Sequence, residues 1–174
     1  MMRAVFLDRD GVINDNEQHV NKPADLILYP GVGESIRKLN EAGYHVFVVT
    51  NQGGVGSGFM TELMLKAIHS KMEENLGRCG AIITEIVACT HHPKAGCECR
   101  KPRPGMVTAL VAKHNIDASS SWLVGDMGTD CQAGKAAGVG KCVMLRGQSE
   151  FADFTAADLV EAVSIILGGL NHEL

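Results

Sequence analysis

Two aspartates separated by one residue follow an apolar segment near the start of the chain. The segment Ala4–Leu7 leads directly into Asp8, and Asp10 comes two positions later. If the chain turns after Asp8, both carboxylates can point toward one site, where their like charges repel unless a cation or a shared proton offsets the repulsion. For an isolated pair of this kind a solvated turn is the favoured interpretation, so the meaning of this pair depends on what else lies nearby.

Two more aspartates occupy a similar position later in the chain. Asp126 closely follows the apolar segment Trp122–Val124, and Asp130 comes four residues further on. Three converging carboxylates supply the hard oxygen ligands that Mg²⁺ prefers, and Mg²⁺ keeps several waters that a phosphate can replace. The acids together therefore predict a magnesium site that could also bind a phosphate.

Groups able to bind phosphate oxygens occur in the same sequence context. Thr50 and Asn51 follow the apolar segment Val46–Val49 and offer a hydroxyl, an amide and backbone N–H groups. The next residues, 52–58, which we call the glycine loop, contain four glycines that let a backbone approach a ligand closely. Lys101 could place a positive charge on a phosphate and among the acids, although a surface lysine is an equally good interpretation of that residue alone.

Short apolar segments alternate with segments of helical periodicity along the whole chain. Five strands are predicted: Ala4–Leu7, Val46–Val49, Ile82–Ala88, Trp122–Val124 and Cys142–Leu145. The predicted helices are 32–42 with Gly43 after its end, one capped by Thr61, and those at about 105–114, 129–137 and 156–167. This alternation predicts an α/β fold, a doubly wound and mainly parallel sheet of the Rossmann-like type, in which ligands bind at the carboxyl ends of the strands.

Composition limits the classes of protein to which the chain can belong. Its 174 residues are 45% hydrophobic and 21% charged, without repeats or linkers, which indicates one globular domain spanning 1–174. A net charge of −4 gives no general attraction to nucleic acid or to an anionic membrane. Asp8 interrupts the first apolar segment before a signal peptide could form, and the apolar stretch Leu159–Leu170 is better interpreted as an amphipathic helix than as a membrane span. We therefore expect a cytoplasmic monomer.

Three of the six cysteines lie close to two histidines in one segment. Cys89, His91, Cys97 and Cys99 form the three-thiol, one-imidazole set that binds structural Zn²⁺, with His92 expected to point elsewhere. Incidental cysteines or a redox pair are the alternatives. We call residues 89–99 the thiol loop. The other cysteines are scattered and are predicted to be small core residues: Cys79, Cys131 and Cys142.

Four motifs in a fixed order carry a resemblance to a known family. They are Phe6–Val12, Val49–Gln52, Arg100–Pro102 and Val124–Asp130. In this order they resemble the haloacid dehalogenase-like phosphohydrolase superfamily. The thiol loop, continued to Met106, looks like the zinc-loop subgroup that contains the heptose-bisphosphatases and the histidinol-phosphatases.

The resemblance implies a two-step phosphoryl transfer. Asp8 would be the nucleophile that forms an aspartyl-phosphate, and Asp10 would protonate the leaving alcohol and then deprotonate water. Thr50 and Lys101 would bind the transferring phosphoryl group. The implied Mg²⁺ ligands are Asp8, Asp126 and the backbone carbonyl of Asp10, with Asp130 in support. Zn²⁺ would be structural.

The resemblance also implies a substrate class. The resemblance to this subgroup implies that the chain removes the 7-phosphate of a heptose 1,7-bisphosphate, with histidinol phosphate as the alternative substrate. A phospho-receiver signalling domain is the alternative from a different class of protein. The implied substrate-binding residues are Asn16, Glu17, Gln18, His19, Asn51, Gln52, Gly53 and Arg100.

Two residues of this chain depart from the pattern of the heptose branch, and the short segment between Asp10 and Thr50 limits what the domain can contain. Ser57 stands where the heptose branch commonly has an arginine, so a cation for a second phosphate is either absent or supplied by Arg103 or Lys22. Met127 replaces a residue that is often polar or cationic. About 40 residues separate Asp10 from Thr50, which leaves no room for a cap domain.

Overall fold

Six parallel strands form one sheet in the computed structural model, which describes residues 1–168. The strands are β1 (Arg3–Leu7), β2 (Tyr44–Asn51), β3 (Glu85–Cys89), β4 (Trp122–Gly125), β5 (Lys141–Leu145) and β6 (Phe154–Ala156). Their order across the sheet is β3-β2-β1-β4-β5-β6. The order therefore reverses between β1 and β4, where neighbouring connections leave on opposite sides and open a crevice at the carboxyl ends.

Helices cover both faces of the sheet. They are α1 (Val32–Glu41), α2 (Glu62–Gly77), α3 (Gly105–His114), α4 (Gly128–Ala136) and α5 (Leu159–Ile166), with short 3₁₀ turns at Pro23–Asp25 and Ala118–Ser120. Apolar residues of α1, α2 and α5 pack in one core, and those of α3 and α4 pack in a second core on the opposite face. This double coverage explains why the strands are nearly continuous apolar runs.

The local signals for helix ends act as predicted. The Thr61 hydroxyl accepts a hydrogen bond from the backbone N–H of Met64 at 3.1 Å and so caps α2. Gly43 follows α1 with a φ of 91°, a left-handed conformation that glycine adopts without a steric cost. These caps set where α1 and α2 stop and start beside β2.

The predicted α/β fold is confirmed, with one strand missed and several element boundaries shifted. The sequence missed β6, a three-residue strand that is mostly exposed and so lacks an apolar run. The third strand begins at Glu85 rather than Ile82, whose side chain is 65% exposed. The last helix begins after Asp158, which caps it by accepting from the Glu161 N–H at 2.9 Å. The end of the predicted apolar stretch, residues 169–170, lies outside the described residues.

The scattered cysteines have two different environments. Cys131 on α4 and Cys142 on β5 are buried as predicted, and they are joined in a disulfide that the sequence did not indicate. The prediction for Cys79 is wrong, because it is exposed in the turn that follows α2. Within residues 1–168, the helices all fall short of the length and apolar character that crossing a membrane requires.

Candidate active site

Three carboxylates meet where the sheet reverses its order. Asp8 follows β1 and Asp126 follows β4, and the Asp8 N–H donates to the Val124 carbonyl at 3.1 Å, which holds the two strand ends in register. With Asp130 from the first turn of α4, they place one carboxylate oxygen each within 4.8 Å of the others. Gly11 permits this approach, because a Cβ there would lie 2.0 Å from the Asp126 Oδ2.

The buried Lys101 side chain lies between two of these carboxylates. Its Nζ is 2.7 Å from the Asp130 Oδ1, 3.2 Å from the Asp8 Oδ1, and donates to the Val49 carbonyl at 2.8 Å. The Asn51 side chain holds the Lys101 backbone from both sides, accepting from its N–H at 3.0 Å and donating to its carbonyl at 3.2 Å. Asn51 therefore fixes the lysine in addition to lining the cavity described below.

The charges of this cluster do not balance without a further cation. Burial and the neighbouring acids outweigh the lowering effect of Lys101 and raise the pKa of Asp8 to about 7. Burial and the neighbouring Asp130 likewise raise the pKa of Asp126. Four carboxylates, those of Asp8, Asp10, Asp126 and Asp130, face three cations, Lys101, Arg9 and the nearby Arg146, and so keep an excess of negative charge when all are ionised. A divalent cation with oxygen ligands fits this donor set and this charge.

The Asp10 carboxylate is held by four hydrogen bonds. Its Oδ1 accepts from Arg9 Nε at 3.1 Å, Arg9 Nη2 at 2.8 Å and Asn14 Nδ2 at 3.0 Å. Its Oδ2 accepts from Gln52 Nε2 at 2.9 Å. Burial raises the pKa of Asp10, but the Arg9 charge and these hydrogen bonds outweigh it and leave the pKa below its usual value. Sequence reasoning missed Arg9 and Asn14, although Arg9 stands inside the aspartate motif.

Thr50 lies at the end of β2 with its hydroxyl in the same network. The side chain is buried, and its Oγ1 accepts from the Gln52 Nε2 at 2.9 Å. One amide nitrogen thus bridges Thr50 and Asp10. These contacts bring Thr50, Lys101 and the carboxylates to one end of the sheet, as the sequence predicts.

A cavity of 460 Å³ opens beside Asp10, at the carboxyl ends of β1 and β2. Seven of the residues predicted to bind substrate line it: Asn16, Gln18, His19, Asn51, Gln52, Gly53 and Arg100. Glu17 lines a different cavity, of 430 Å³, together with Tyr29 and Arg146. The reason is local: the Glu17 N–H donates to the Asp15 Oδ1 at 2.8 Å in a tight turn that separates its side chain from its neighbours.

The cavity contains fewer cations than a second phosphate would usually attract. Ser57 lines the wall where an arginine was expected, and Arg100 is the one arginine or lysine among the described lining residues. Neither Lys22 nor Arg103 takes the missing place, since Lys22 is exposed outside the cavity and Arg103 donates to the Cys97 carbonyl. Met127 is exposed beside Asp126, and its backbone N–H donates to the Asp130 Oδ2 at 3.0 Å.

The thiol loop gathers its four predicted ligands in one cluster. The Cys89 Sγ is 3.5 Å from both the His91 Nδ1 and the Cys97 Sγ, and the Cys99 Sγ is 2.8 Å from Cys89 and 3.1 Å from His91. A tetrahedral zinc with Zn–S bonds of about 2.3 Å separates its ligands by a little under 4 Å, so the cluster is of the right size. Burial and the two neighbouring thiols raise the pKa of Cys99 to about 12. A bound metal ion would offset this effect, because it stabilises the thiolate form of its cysteine ligands.

His92 lies outside this cluster, and its Nδ1 accepts from the Lys94 N–H at 3.0 Å. The backbone of the thiol loop at His92 packs against the glycine loop. A Cβ on Gly56 would lie 2.2 Å from the His92 nitrogen, and one on Gly53 would lie 3.1 Å from the Arg100 Nη1. At Gly56 the close approach is therefore to another loop, whereas the sequence predicted an approach to a ligand.

An aspartate pair after the first strand, a third acid after the fourth and a buried lysine between them define a haloacid dehalogenase-like phosphatase, and the chain belongs to that superfamily. The sequence pattern of the family described as "Polynucleotide kinase 3 phosphatase" matches residues 5–167.

The comparisons with individual proteins place the chain more closely. It is 42% identical over 143 residues to the D-glycero-beta-D-manno-heptose-1,7-bisphosphate 7-phosphatase of Rhodopseudomonas palustris, covering 78% of this chain and 79% of that protein. The protein of that name from Pseudomonas putida is 35% identical over 150 residues, 86% of each chain. The crystal structure of D,D-heptose 1,7-bisphosphate phosphatase from Bordetella bronchiseptica, complexed with magnesium and phosphate, has a TM-score of 0.89 at 32% identity and covers 97% of this chain and 99% of that one. The chain belongs to the family of these phosphatases.

Proposed function

We propose that the protein removes the 7-phosphate of D-glycero-D-manno-heptose 1,7-bisphosphate. The observation that carries this proposal is the position of Asp10 on the wall of a cavity that also contains Arg100. Asp10 is two residues from Asp8, whose carboxylate is paired with Lys101 at 3.2 Å. The two relatives named above support the substrate, and both are named for the β anomer, so we expect the β anomer to be preferred.

In the first step a carboxylate oxygen of Asp8 attacks the phosphorus. The bond between phosphorus and the C7 oxygen breaks as the aspartyl-phosphate forms, and Asp10 gives its proton to the departing oxygen. Lys101 and the Thr50 hydroxyl bind the non-bridging oxygens, whose negative charge would otherwise be repelled by Asp8. Asp10 lines the cavity, and its Oδ2 accepts from Gln52 on the same wall, which suits proton transfer at that point.

In the second step water attacks the phosphorus of the aspartyl-phosphate and releases inorganic phosphate and free Asp8. Asp10, which has become a carboxylate by giving its proton to the leaving oxygen, takes a proton from this water. The proton needed for the first step is taken up when the phosphate dianion enters, since a nearby negative charge raises the pKa of a carboxyl group.

Both predicted metals fit the residues present. Mg²⁺, held by Asp8, Asp126 and the Asp10 backbone carbonyl with Asp130 in support, would neutralise charge on the transferring phosphoryl group. Zn²⁺, held by Cys89, His91, Cys97 and Cys99, would be structural because four protein ligands leave no open position. The thiol loop runs directly into Arg100 and Lys101, so folding around zinc would fix both cations.

The two phosphates of the substrate would contact different residues of the site. With the 7-phosphate at Asp8, the sugar would lie among the amides of Asn16, Gln18 and Gln52, and the 1-phosphate would reach Arg100. Gly53 permits the close approach of the Arg100 guanidinium to this wall. Of the predicted binding residues, Glu17 is left without a role in this cavity.

We also propose that the chain acts as a single capless domain, as a monomer, and in the cytoplasm. The site is complete within one chain, and residues 1–168 contain no element that covers the cavity mouth as a separate domain. Zinc ligation would require Cys89, Cys97 and Cys99 to stay reduced, which the cytoplasm favours, although the buried Cys131–Cys142 disulfide is unusual for that compartment. Light scattering of the purified protein and cell fractionation test these points.

The function is tested by phosphate release in the presence of Mg²⁺. The substrates are both anomers of the heptose 1,7-bisphosphate, histidinol phosphate and a 3′-phosphorylated oligonucleotide. We expect a kcat/KM for the β anomer about 100-fold or more above that for histidinol phosphate, since leaving Arg100 without its phosphate forfeits a charged contact. Asp8→Asn should abolish release, and Asp117→Asn, at a half-buried acid directly before the 3₁₀ turn Ala118–Ser120, should not change it.

Each alternative outcome has a clear meaning. A preference for histidinol phosphate or for the oligonucleotide would reject the heptose substrate and keep the chemistry. Turnover that survives in Asp8→Asn would reject the aspartyl-phosphate mechanism. Phosphate release limited to a single equivalent would favour the phospho-receiver alternative.

A further inference from the structure

One fully buried arginine connects the aspartate motif to helix α2. The Arg9 side chain is 0% exposed, and its charge is paired with Asp10 through Nε and Nη2. The remaining terminal nitrogen, Nη1, is 3.1 Å from the His69 Nε2 on α2. A buried guanidinium must place its donors on acceptors, because each unpaired donor keeps its full desolvation penalty.

The direction of this contact can be derived from its chemistry. A guanidinium only donates, so the His69 Nε2 must accept and the ring proton must be on Nδ1. Burial and the Arg9 charge lower the pKa of His69 to about 4, which keeps the ring neutral in this role. His69 is therefore an obligate acceptor for Arg9 at neutral pH.

The contact determines how Asp10 presents its second oxygen. Three donors, two from Arg9 and one from Asn14, hold the Oδ1. The Oδ2 has a single donor, Gln52, which lines the cavity. Because three donors hold Oδ1, the plane of the carboxyl group is fixed, and Oδ2, with a single donor, is the oxygen with room to carry and transfer a proton. If the Arg9 side chain rotated, two of the three hydrogen bonds that hold the Asp10 carboxyl group in this orientation would break.

We propose that His69 is a positioning residue for proton transfer: by accepting from the Arg9 Nη1 it fixes the guanidinium, and the guanidinium fixes Asp10 with its Oδ2 toward the leaving oxygen. This inference rests on the proposed function, in which Asp10 protonates that oxygen. Nothing in the sequence pattern points to His69, which is 60 residues from Arg9 and lies beside core positions of α2.

The experiment compares leaving groups that differ in their need for a proton. A sugar alkoxide needs one to depart, whereas p-nitrophenolate departs as an anion, so misplacing Asp10 should slow only the first class. The variants are His69→Leu, which removes the acceptor, and His69→Gln, whose amide oxygen can reach the Nε2 position. Leu76→Ala, buried at the far end of α2, is the matched control for a loss of helix packing. The readout is kcat/KM, which includes only steps up to departure of the first product.

We expect His69→Leu to lower kcat/KM for the heptose bisphosphate by about 10- to 100-fold, part of the 10²–10⁴ that general acid catalysis supplies. For p-nitrophenyl phosphate the decrease should stay within about 3-fold, and His69→Gln should recover most of the loss on the sugar substrate. Leu76→Ala should lower the melting temperature and leave the ratio of the two substrates unchanged.

A structural role for His69 would give a different pattern. Equal losses on both substrates in His69→Leu, or a changed substrate ratio in Leu76→Ala, would overturn the proposal and leave the proposed function intact. Asp10→Asn is the separate check on that function: if it too lowers both substrates equally, Asp10 is not the acid, and the role of His69 is rejected with it.

Discussion

Replacing Lys101 should strongly destabilise the protein, because this side chain is only 5% exposed and lies among carboxylates. Replacement by methionine keeps most of its volume and removes its charge. At an effective dielectric constant near 20, its contacts of 2.7 Å with Asp130 and 3.2 Å with Asp8 are each worth about 5–6 kcal/mol, before the desolvation cost that opposes them. Breaking a buried pair by removing one partner costs about 3–5 kcal/mol.

That loss should be large enough to measure by thermal unfolding. For a domain of this size, about 2–4 °C of melting temperature accompanies each kcal/mol, so Lys101→Met should melt about 6–20 °C below wild type in a chelator. Mg²⁺ should raise the melting temperature of the variant more than that of wild type, because the cation then meets one more uncompensated negative charge. Activity should be lost at every Mg²⁺ concentration, since the ion does not replace the lysine contact to the phosphoryl group.

A control on the surface separates charge from burial. Lys113 is 63% exposed and paired with Glu85 at 2.9 Å, so Lys113→Met should change stability by about 0.5 kcal/mol or less. A Lys101→Met protein that melts within about 2 °C of wild type in chelator would refute the reasoning, because a buried ion-pair network of this kind could not then be present.

Three further predictions concern other parts of the molecule. The His69 imidazole ionises near its ordinary pKa in the unfolded chain and near 4 in the folded protein, so the free energy of unfolding should decrease as the pH falls from about 6.5 to 4. His69→Gln should remove this contribution to the pH dependence, which is about 3 kcal/mol at most. Cys97→Ser should reduce bound zinc and the melting temperature together, whereas Cys79→Ser, at an exposed thiol, should change neither. Gly56→Ala should destabilise the protein by about 1–3 kcal/mol because its Cβ would meet the His92 backbone, whereas Gly77→Ala, with open space, should be neutral or stabilising by about 0.5–1 kcal/mol.

Each of these has a contradicting result. Parallel pH profiles for wild type and His69→Gln, measured by urea unfolding, would mean that the imidazole is not buried beside Arg9. Full zinc content in Cys97→Ser, measured by atomic absorption, would remove that thiol from the ligand set. Equal urea midpoints for Gly56→Ala and Gly77→Ala would mean that the two loops do not touch.

The parts of the site that the sequence predicted are those governed by the ends of strands. Asp8 and Asp126 each follow a short apolar segment, and parallel strands bring such positions to one edge. The thiol loop was predictable for another reason, since its ligands are close in sequence and metal geometry restricts their spacing. Both inferences use local pattern and one general rule of the fold.

The parts that the sequence did not predict depend on contacts between distant segments. Asn51 was assigned to substrate, but its amide also pairs with the backbone of Lys101, 50 residues later. His69 follows Ile68 on the buried side of α2, and helical periodicity does not tell which buried group faces a buried charge. The partner of Cys142 could not be predicted from its spacing either, because Cys131 lies on a different element.

The separation of the reacting groups from the cavity walls has an evolutionary consequence. The nucleophile, the acids and the lysine's acceptors sit on strand ends and a helix start that neighbouring strands hold in register. Most of the walls come from residues 16–21, the glycine loop, and Pro93 and Arg100, which lie outside the strands, while Asp10 and Asn51 complete them. Insertions and exchanges at residues 16–21 and 53–58 can therefore alter which molecule is accepted, whereas Gln52 and the thiol loop are constrained because they also position Asp10 and Lys101. A protein with this architecture can therefore change its substrate through these two segments while Asp8, Asp126 and Lys101 keep their places at the sheet.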